Sequence, residues 1–260
     1  MKHIGDICRK IAKRLEIEPV TLPTDAYSIE KIFDELCGIV CVVARSGVGK
    51  TSFALDVALE KAVNDDKAVV IVTCEKSVEQ ITTELVMKLC GLNICFINEE
   101  KKEKLAQVFG FLSQQKIYLE GFERIEYPCL SDVERAVEGV DDVGLVMIDG
   151  LHCLWDEMNV QNVETKMSVR TLKQISKKFN APILITTYYA RTEIKRMLSG
   201  DMSKNHLLDS GIDRLVVLYR SVVGTTMSFS ADYLVADRFG EYNLSALHYD
   251  TKKRSFTREE

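Results

Sequence analysis

A short apolar run followed by a glycine-bearing loop is the feature that most constrains this chain. Residues 39–43 read I-V-C-V-V, and residues 44–51 read A-R-S-G-V-G-K-T. Helix-compatible sequence, with apolar positions near helical spacing, continues to residue 59. These segments predict a buried strand, a loop and a helix in that order. In such a unit the loop N–H groups and the positive end of the helix converge on one anion.

The loop also carries the side chains that a triphosphate requires. Lys50 supplies a mobile cation, and Thr51 offers a hydroxyl to Mg²⁺. The pattern G-x-x-x-x-G-K-[ST] has glycine where this chain has Ala44, so the prediction depends on the flanking strand and helix, and a chance glycine turn is the alternative. We predict a nucleoside triphosphate site formed by Ala44, Arg45, Ser46, Gly47, Val48, Gly49, Lys50, Thr51 and Ser52.

The remaining pattern indicates an α/β protein. Strands are expected at 39–43, 68–73, 117–119, 143–148, 182–187, 214–219, 232–236 and 244–248, and helices at 28–36, 50–63, 77–89, 100–114, 131–138 and 162–179. Continuous apolar strands that alternate with helices predict a mostly parallel central sheet with helices on both faces. The last strands have no helices between them, so an antiparallel C-terminal extension is expected.

An amphipathic helix is predicted near the start of the chain. Residues 4–17 place apolar side chains on one face, and Pro19 and Pro23 interrupt the pattern. The helix can pack on its own chain or dock on a neighbouring subunit, and the sequence favours neither. We predict an N-terminal helix and linker over residues 1–22 and a main domain over residues 23–260.

Composition excludes several classes. With 46% hydrophobic and 28% charged residues, the 260-residue chain is typical of a globular protein, and its net charge of −5 argues against coating nucleic acid by bulk charge. Eight cysteines without a paired C-x-x-C indicate thiols in a reducing compartment. No apolar stretch approaches the roughly 20 residues that span a bilayer, and no secretory signal is present. We therefore expect a cytoplasmic protein with no membrane partner.

Two carboxylates at strand ends complete the predicted site. Asp149 ends the apolar run 144–149, where an acidic side chain can hold nucleotide-bound Mg²⁺, although a purely structural carboxylate is the alternative. Glu75 lies just past the strand at 68–73, where it can orient the attacking water or remain a solvated charge. The four histidines are not spaced as metal ligands, so no other metal site is predicted.

In their order, these motifs resemble the C-terminal, RecA-like ATPase domain of DnaB-type replicative helicases. Residues 44–55 are similar to that family's A-R-P-S-M-G-K-T-T-F-A-L, which also begins with Ala, and residues 73–80 are similar to its S-L-E-M-S-x-E-Q. Residues 147–154 correspond to V-I-D-Y-L-Q-L-I, with Gly150 and His152 in place of Tyr and Gln. Weaker likenesses are found at 169–173 (S-R-x-L-K) and 218–220 (L-Y-R). The resemblance covers roughly Pro23 to Phe256.

The resemblance implies a RecA-like P-loop NTPase in which Glu75 is the catalytic glutamate, with ATP and Mg²⁺ as ligands. It also implies single-stranded DNA as a partner, assembly into a homo-oligomer such as a hexameric ring, and contacts with other replication proteins. The family's K-Q-R-N-G segment corresponds to residues 236–240. Arg238 is therefore a candidate arginine finger for a neighbouring subunit, or an ordinary surface arginine.

Basic residues near the predicted fifth core strand are candidates for binding the DNA backbone. Residues 191–206 are expected to form a mobile loop, with Arg191, Lys195, Arg196 and Lys204 as the candidate contacts. A solvated charged face is the alternative. Tyr188 and Tyr189 beside them can stack on bases or belong to the core.

Three departures from the family pattern keep other functions open. Tyr188 replaces the glutamine that senses γ-phosphate, Leu208 replaces an arginine of the DNA loop, and Ala236 replaces the lysine beside Arg238. The family's helical N-terminal domain has no counterpart in this sequence, so an isolated motor domain or a diverged relative is expected. The alternatives to a helicase motor are an ATP-binding accessory or loader protein without unwinding activity, and a RecA-like regulatory ATPase that does not bind nucleic acid.

Overall fold

A ten-stranded sheet forms the centre of the computed structural model. The structure describes residues 1–258 except 24–25, 28, 35, 93, 95–96, 156–165, 190, 199–210, 221–227 and 238–241. The strands are β1 Lys2–His3, β2 Ile39–Ala44, β3 Ala68–Thr73, β4 Ile117–Gly121, β5 Val143–Asp149, β6 Ile183–Tyr188, β7 Arg214–Arg220, β8 Ser228–Asp237, β9 Tyr242–Asp250 and β10 Ser255–Arg258. Their order in the sheet is β1-β4-β3-β5-β6-β2-β7-β8-β9-β10.

The sheet is parallel in its middle and antiparallel at its ends. Strands β4, β3, β5, β6, β2 and β7 are parallel neighbours, whereas β7 to β10 form an antiparallel extension and β1 pairs antiparallel with β4. This confirms the predicted fold class and its C-terminal extension. The parallel strands end at the same edge of the sheet, and the loops that follow them therefore lie side by side.

Helices cover both faces of the sheet, as the apolar strands require. The helices are α1 Ile4–Arg14, α2 Lys50–Asn64, α3 Val78–Cys90, α4 Glu99–Leu112, α5 Leu130–Val137, α6 Lys166–Phe179 and α7 Arg191–Leu198, and a 3₁₀ turn spans Leu151–Cys153. Alternate residues of each strand point to opposite faces. One core cluster joins the sheet to α1–α4, and the other joins it to α5–α7. Among the described residues, no helix is both long and apolar enough to cross a membrane.

The N-terminal helix packs on its own chain. Ile4, Ile7, Cys8 and Ile11 are at most 3% exposed and belong to the core cluster that contains α3 and α4. Strand β1 adds to the edge of the sheet, and the N–H of Val20 donates to the carbonyl of α4 at Ala106. The helix is therefore docked in cis, and the division of the chain at residue 22 remains a prediction.

Two local predictions were wrong. The expected helix at 28–36 is absent from its described residues, although Ile32 and Phe33 are buried. Its groups bond to distant segments instead, since Asn64 donates to the carbonyl of Ile29 and the N–H of Arg258 donates to Glu30. Conversely, α7 replaces the first half of the loop expected at 191–206, because its buried Ile194 and Met197 attach it to the core.

The last strand is held against α2 by a buried ion pair. The Lys88 ammonium donates to Asp56 Oδ1 over 2.8 Å, and the two side chains are only 2% and 6% exposed. Asp56 also accepts from Ser255 Oγ and from the N–H of Phe256, both at 2.8 Å. The ring of Phe256 then packs on Phe53 of α2. One carboxylate thus joins α2, α3 and β10.

Because this pair is buried, removing one partner should be costly. We expect Lys88→Met to lower the free energy of unfolding by about 3–5 kcal/mol, since it leaves an uncompensated buried charge. Asp56→Asn added to it should recover part of the loss. The matched control is Lys67→Met, which breaks the exposed pair with Asp142 and should cost at most about 1 kcal/mol. Urea unfolding measures all three, and equal losses in both lysine variants would contradict the assignment.

Candidate nucleotide site

The loop between β2 and α2 has the backbone of an anion cradle. Gly47 and Gly49 have φ of 79° and 113°, a region that residues with side chains rarely adopt. A Cβ on Gly49 would also lie 3.0 Å from the ring of Phe256. Gly49 caps α2 without a side-chain hydrogen bond, and the first turn contains no acidic residue. The positive end of α2 therefore faces the loop with no protein carboxylate in its first turn.

Lys50 lies across this cradle. Its Nζ donates to the carbonyl of Ala44 over 3.4 Å and is 5.9 Å from the ring centroid of Tyr188. Burial lowers the pKa of Lys50, while the nearby carboxylates of Glu75 and Asp149 oppose this shift. Its ammonium thus lies between the loop and two acidic groups, where an anion in the loop would be within its reach.

Asp149 is the buried carboxylate at the end of β5. Its Oδ1 accepts hydrogen bonds from Thr51 Oγ1 and Thr186 Oγ1, both at 2.8 Å. Its Oδ2 is buried and has no partner among the described residues. Burial raises the pKa of Asp149, and the two threonine hydroxyls oppose this shift. An unpartnered carboxylate oxygen beside the Thr51 hydroxyl offers the oxygen ligands that Mg²⁺ prefers, so these residues fit the ion.

Glu75 lies one strand away from Asp149. The N–H of Cys74 donates to the carbonyl of Asp149 over 3.0 Å, and this contact joins the ends of β3 and β5. Glu75 is 45% exposed, and its Oε1 lies 2.8 Å from Nε2 of His152. This hydrogen bond lowers the pKa of Glu75. The adjacent Cys153 side chain and the Glu75 carboxylate raise the pKa of His152 to about 10, so the two residues form an ion pair at neutral pH.

His152 is a site residue that the sequence did not reveal. The 3₁₀ turn after β5 brings it back to the strand edge, and Gly150 starts that turn with a φ of 96°. The N–H of Gly150 donates to Thr186 Oγ1 over 2.9 Å, which fixes the turn to β6. A glycine directly after a strand-end aspartate was the available signal, because it allows the chain to reverse at that point.

The structure separates the remaining candidates. Arg45, Ser46 and Gly47 are exposed in the loop. The Ser52 side chain is 7% exposed and donates to the carbonyl of Arg254, so it faces the interior of the protein. Tyr188 is 52% exposed beside Lys50, whereas Tyr189 is 3% exposed and belongs to the core.

The basic candidates are described only in part. Lys195 is exposed on α7. Ala236 is fully buried in β8, so its position does not present a side chain to a neighbouring subunit. Other positions lie outside the described residues or have undescribed side chains, and these are Arg191, Arg196, Lys204, Leu208 and Arg238.

A mostly parallel sheet with an anion cradle after one strand and carboxylates after two others is the arrangement of a RecA-like P-loop NTPase. The family model described as DnaB-like helicase C terminal domain matches residues 23–258. The chain belongs to this family.

Individual relatives agree with this assignment. The chain is 26% identical over 195 residues to the replicative DNA helicase DnaC of Bacillus subtilis (strain 168), covering 70% of this chain and 43% of that protein. It is 23% identical over 240 residues to the replicative DNA helicase DnaB of Geobacillus stearothermophilus, covering 84% and 53%. The chain thus spans about half the length of these relatives.

Solved structures support the same fold. A structure described as an isolated ATPase domain matches with a TM-score of 0.69 and 18% identity, covering 99% of each chain. A DnaB-like replicative helicase, from a study of its interactions with primase, matches with a TM-score of 0.67 and 18% identity. This second match covers 86% of this chain and 59% of that one.

Proposed function

We propose that this chain is an ATP-hydrolysing, DnaB-like helicase motor domain that acts on single-stranded DNA as a homo-oligomer in the cytoplasm. The observation that carries this proposal is the Thr51–Asp149 hydrogen bond with the unpartnered Oδ2 beside it. It unites the hydroxyl and the carboxylate that a Mg²⁺–triphosphate complex needs, at the end of the helix that follows the loop. Other replication proteins are proposed as further partners.

Each side chain of the site has a distinct part in the proposed reaction. Loop N–H groups and the N-terminus of α2 hold the phosphates, and Lys50 neutralises charge on the β/γ-phosphates. Thr51 and Asp149 hold Mg²⁺, which when bound offsets the charge that develops on the phosphate oxygens. Glu75 orients and deprotonates the attacking water.

His152 positions Glu75 in this scheme. Its 2.8 Å hydrogen bond engages Oε1 and leaves the other carboxylate oxygen for water. A charged His152 also favours the ionised form of Glu75, which is the form able to accept a proton. Loss of His152 should therefore affect turnover more than nucleotide affinity.

Hydrolysis is proposed to require a neighbouring subunit. Within the described residues, Lys50 is the cation whose ammonium lies over the loop. The charge that develops on the γ-phosphate is commonly stabilised by an arginine supplied in cis or from a second protein. Arg238 is our candidate, since the family resemblance places it in a segment that reaches the neighbour's phosphates.

An accessory or loader protein without unwinding activity is the second candidate. Tyr188 favours it, because an exposed ring stands beside Lys50 where the helicase motif has a glutamine. Ala236 also favours it, because a buried alanine replaces the expected lysine. A regulatory ATPase without nucleic acid is supported only by the net charge of −5. ATP turnover with and without single-stranded DNA separates these functions.

Three substitutions test the nucleotide site. Lys50→Ala should abolish ATP binding or turnover, because it removes the cation over the β/γ-phosphates. Glu75→Gln and Asp149→Asn should keep most ATP binding and lose hydrolysis, which fluorescent-nucleotide titration and phosphate release measure. Unchanged affinity and turnover in Lys50→Ala would refute the cradle. Hydrolysis within a few fold of wild type in Glu75→Gln would mean that another residue activates the water.

DNA binding should depend on α7. Replacing Lys195 and Arg196 by Ala should weaken single-strand binding and flatten its salt dependence by about 0.7 log–log units for each phosphate group no longer neutralised. Lys177→Ala is the matched control, because this exposed lysine lies at the C-terminal end of α6, near the opposite sheet edge. Fluorescence anisotropy at several salt concentrations gives the slopes. A slope equal to that of wild type would place DNA binding elsewhere.

Subunit mixing tests the arginine finger. Arg238→Ala alone should lose about 10³–10⁵-fold in turnover, the range found where such an arginine has been removed or supplied. Mixed Arg238→Ala and Lys50→Ala subunits should regain turnover at interfaces where an intact loop meets an intact arginine. Wild-type turnover by Arg238→Ala, or full activity of a monomer in sedimentation, would exclude catalysis in trans.

A further inference from the structure

A sulfur atom lies beside the Glu75–His152 pair. A carboxylate oxygen of Glu75, a ring nitrogen of His152 and Sγ of Cys153 all lie within 4.8 Å of one another. Glu75 comes from the loop after β3, whereas the other two come from the 3₁₀ turn after β5. Among the described residues, this is the one group of three or more acidic, histidine and cysteine side chains this close together.

Gly150 keeps the space between these donors clear. A Cβ on this residue would lie 3.1 Å from Cγ of Glu75 and 3.6 Å from Sγ of Cys153. The carboxylate stem and the sulfur therefore approach the same point from two sides. Since the φ of Gly150 is 96°, a residue with a side chain would be strained here as well as crowded.

The donor atoms have capacity to bind a ligand. Nδ1 of His152 is buried and has no hydrogen-bond partner among the described residues, while Nε2 bonds to Glu75. Cys153 is a half-buried free thiol. A buried ring nitrogen without a partner is unusual, because buried polar atoms are nearly always paired. It is an observation independent of the clustering, and it also points to a ligand.

We propose that Glu75, His152 and Cys153 bind a thiophilic divalent metal ion such as Zn²⁺, and that the bound ion inhibits ATP hydrolysis by occupying the Glu75 carboxylate. The inhibitory half rests on the catalytic role of Glu75 proposed above. A set of one sulfur, one nitrogen and one oxygen donor suits Zn²⁺, which often takes three protein ligands and one water. Mg²⁺ prefers oxygen ligands only, so this site is chemically distinct from the Thr51–Asp149 site.

The distances are compatible with small adjustments. Nitrogen and oxygen donors at about 2.0–2.2 Å from a tetrahedral ion lie roughly 3.3–3.6 Å apart. Nε2 and Oε1 are now 2.8 Å apart, so they must separate by roughly 0.5–0.8 Å if the ion replaces their shared proton. The sulfur lies within 4.8 Å of both and must approach by roughly 1 Å at most. Side-chain rotation supplies such shifts without moving the strands.

Cobalt provides a direct test of the site without nucleotide. Co²⁺ titrated into the reduced protein should give sulfur-to-cobalt absorption that saturates at one ion per chain, and Zn²⁺ should displace it. Cys153→Ser should remove this absorption, and His152→Gln should weaken binding at least about tenfold, since even loss of an outer-sphere partner costs roughly 10–100-fold. The matched control is Cys37→Ser, which removes an exposed thiol before β2, at the opposite edge of the sheet, and should bind like wild type.

Turnover at buffered free Zn²⁺ then tests inhibition, with each variant compared with its own metal-free rate. Wild type and Cys37→Ser should be inhibited reversibly by chelator, and Cys153→Ser should resist. Thermal melting verifies that each variant is folded. Absence of thiolate absorption, or its persistence in Cys153→Ser, overturns the metal site and leaves the proposed ATPase intact. Binding without inhibition overturns the regulatory half, and Glu75→Gln without metal shows separately whether the proposed catalytic role fails.

Discussion

The carboxylate of Asp149 is the interaction on which the arrangement of the site depends. Its Oδ1 joins the first turn of α2, through Thr51, to the end of β6, through Thr186. The carbonyl of the same residue accepts from Cys74 and so fixes the end of β3. One residue therefore sets the spacing of three chain segments at the edge of the sheet. A buried carboxylate is costly unless paired, and its second oxygen keeps part of that cost until a cation is bound.

The predictions that the structure confirmed were those in which chemistry is local in sequence. The loop and Lys50 belong to one continuous segment, and Asp149 ends an apolar run whose strand identity is unambiguous. Glu75 follows another such run. Because parallel strands end at one edge, placing these residues together required the fold class and no further detail. This is why the sequence located the core of the site.

Residues whose positions depend on tertiary contacts escaped prediction. His152 reaches Glu75 because Gly150 turns back against Thr186, 36 positions away, and no local pattern encodes that contact. The apolar spacing at 28–36 resembles a helix, yet its backbone carbonyl at Ile29 is satisfied by Asn64 of α2. Ser52 belongs to the cradle by sequence, but its side chain serves the packing of β10. In each case a distant partner overrode local periodicity.

The attachment of β10 to α2 has a consequence for synthesis of the protein. Asp56 and the Phe256 N–H that it binds are 200 positions apart, and Phe256 also lies against Gly49 of the loop. At about 5–20 residues per second, a ribosome needs roughly 10–40 s to make the intervening chain. During that interval α2 stays accessible to water and to alternative partners, since the strand that covers it does not yet exist. The phosphate loop is among the earlier segments to be translated, and its packing is among the last to be completed.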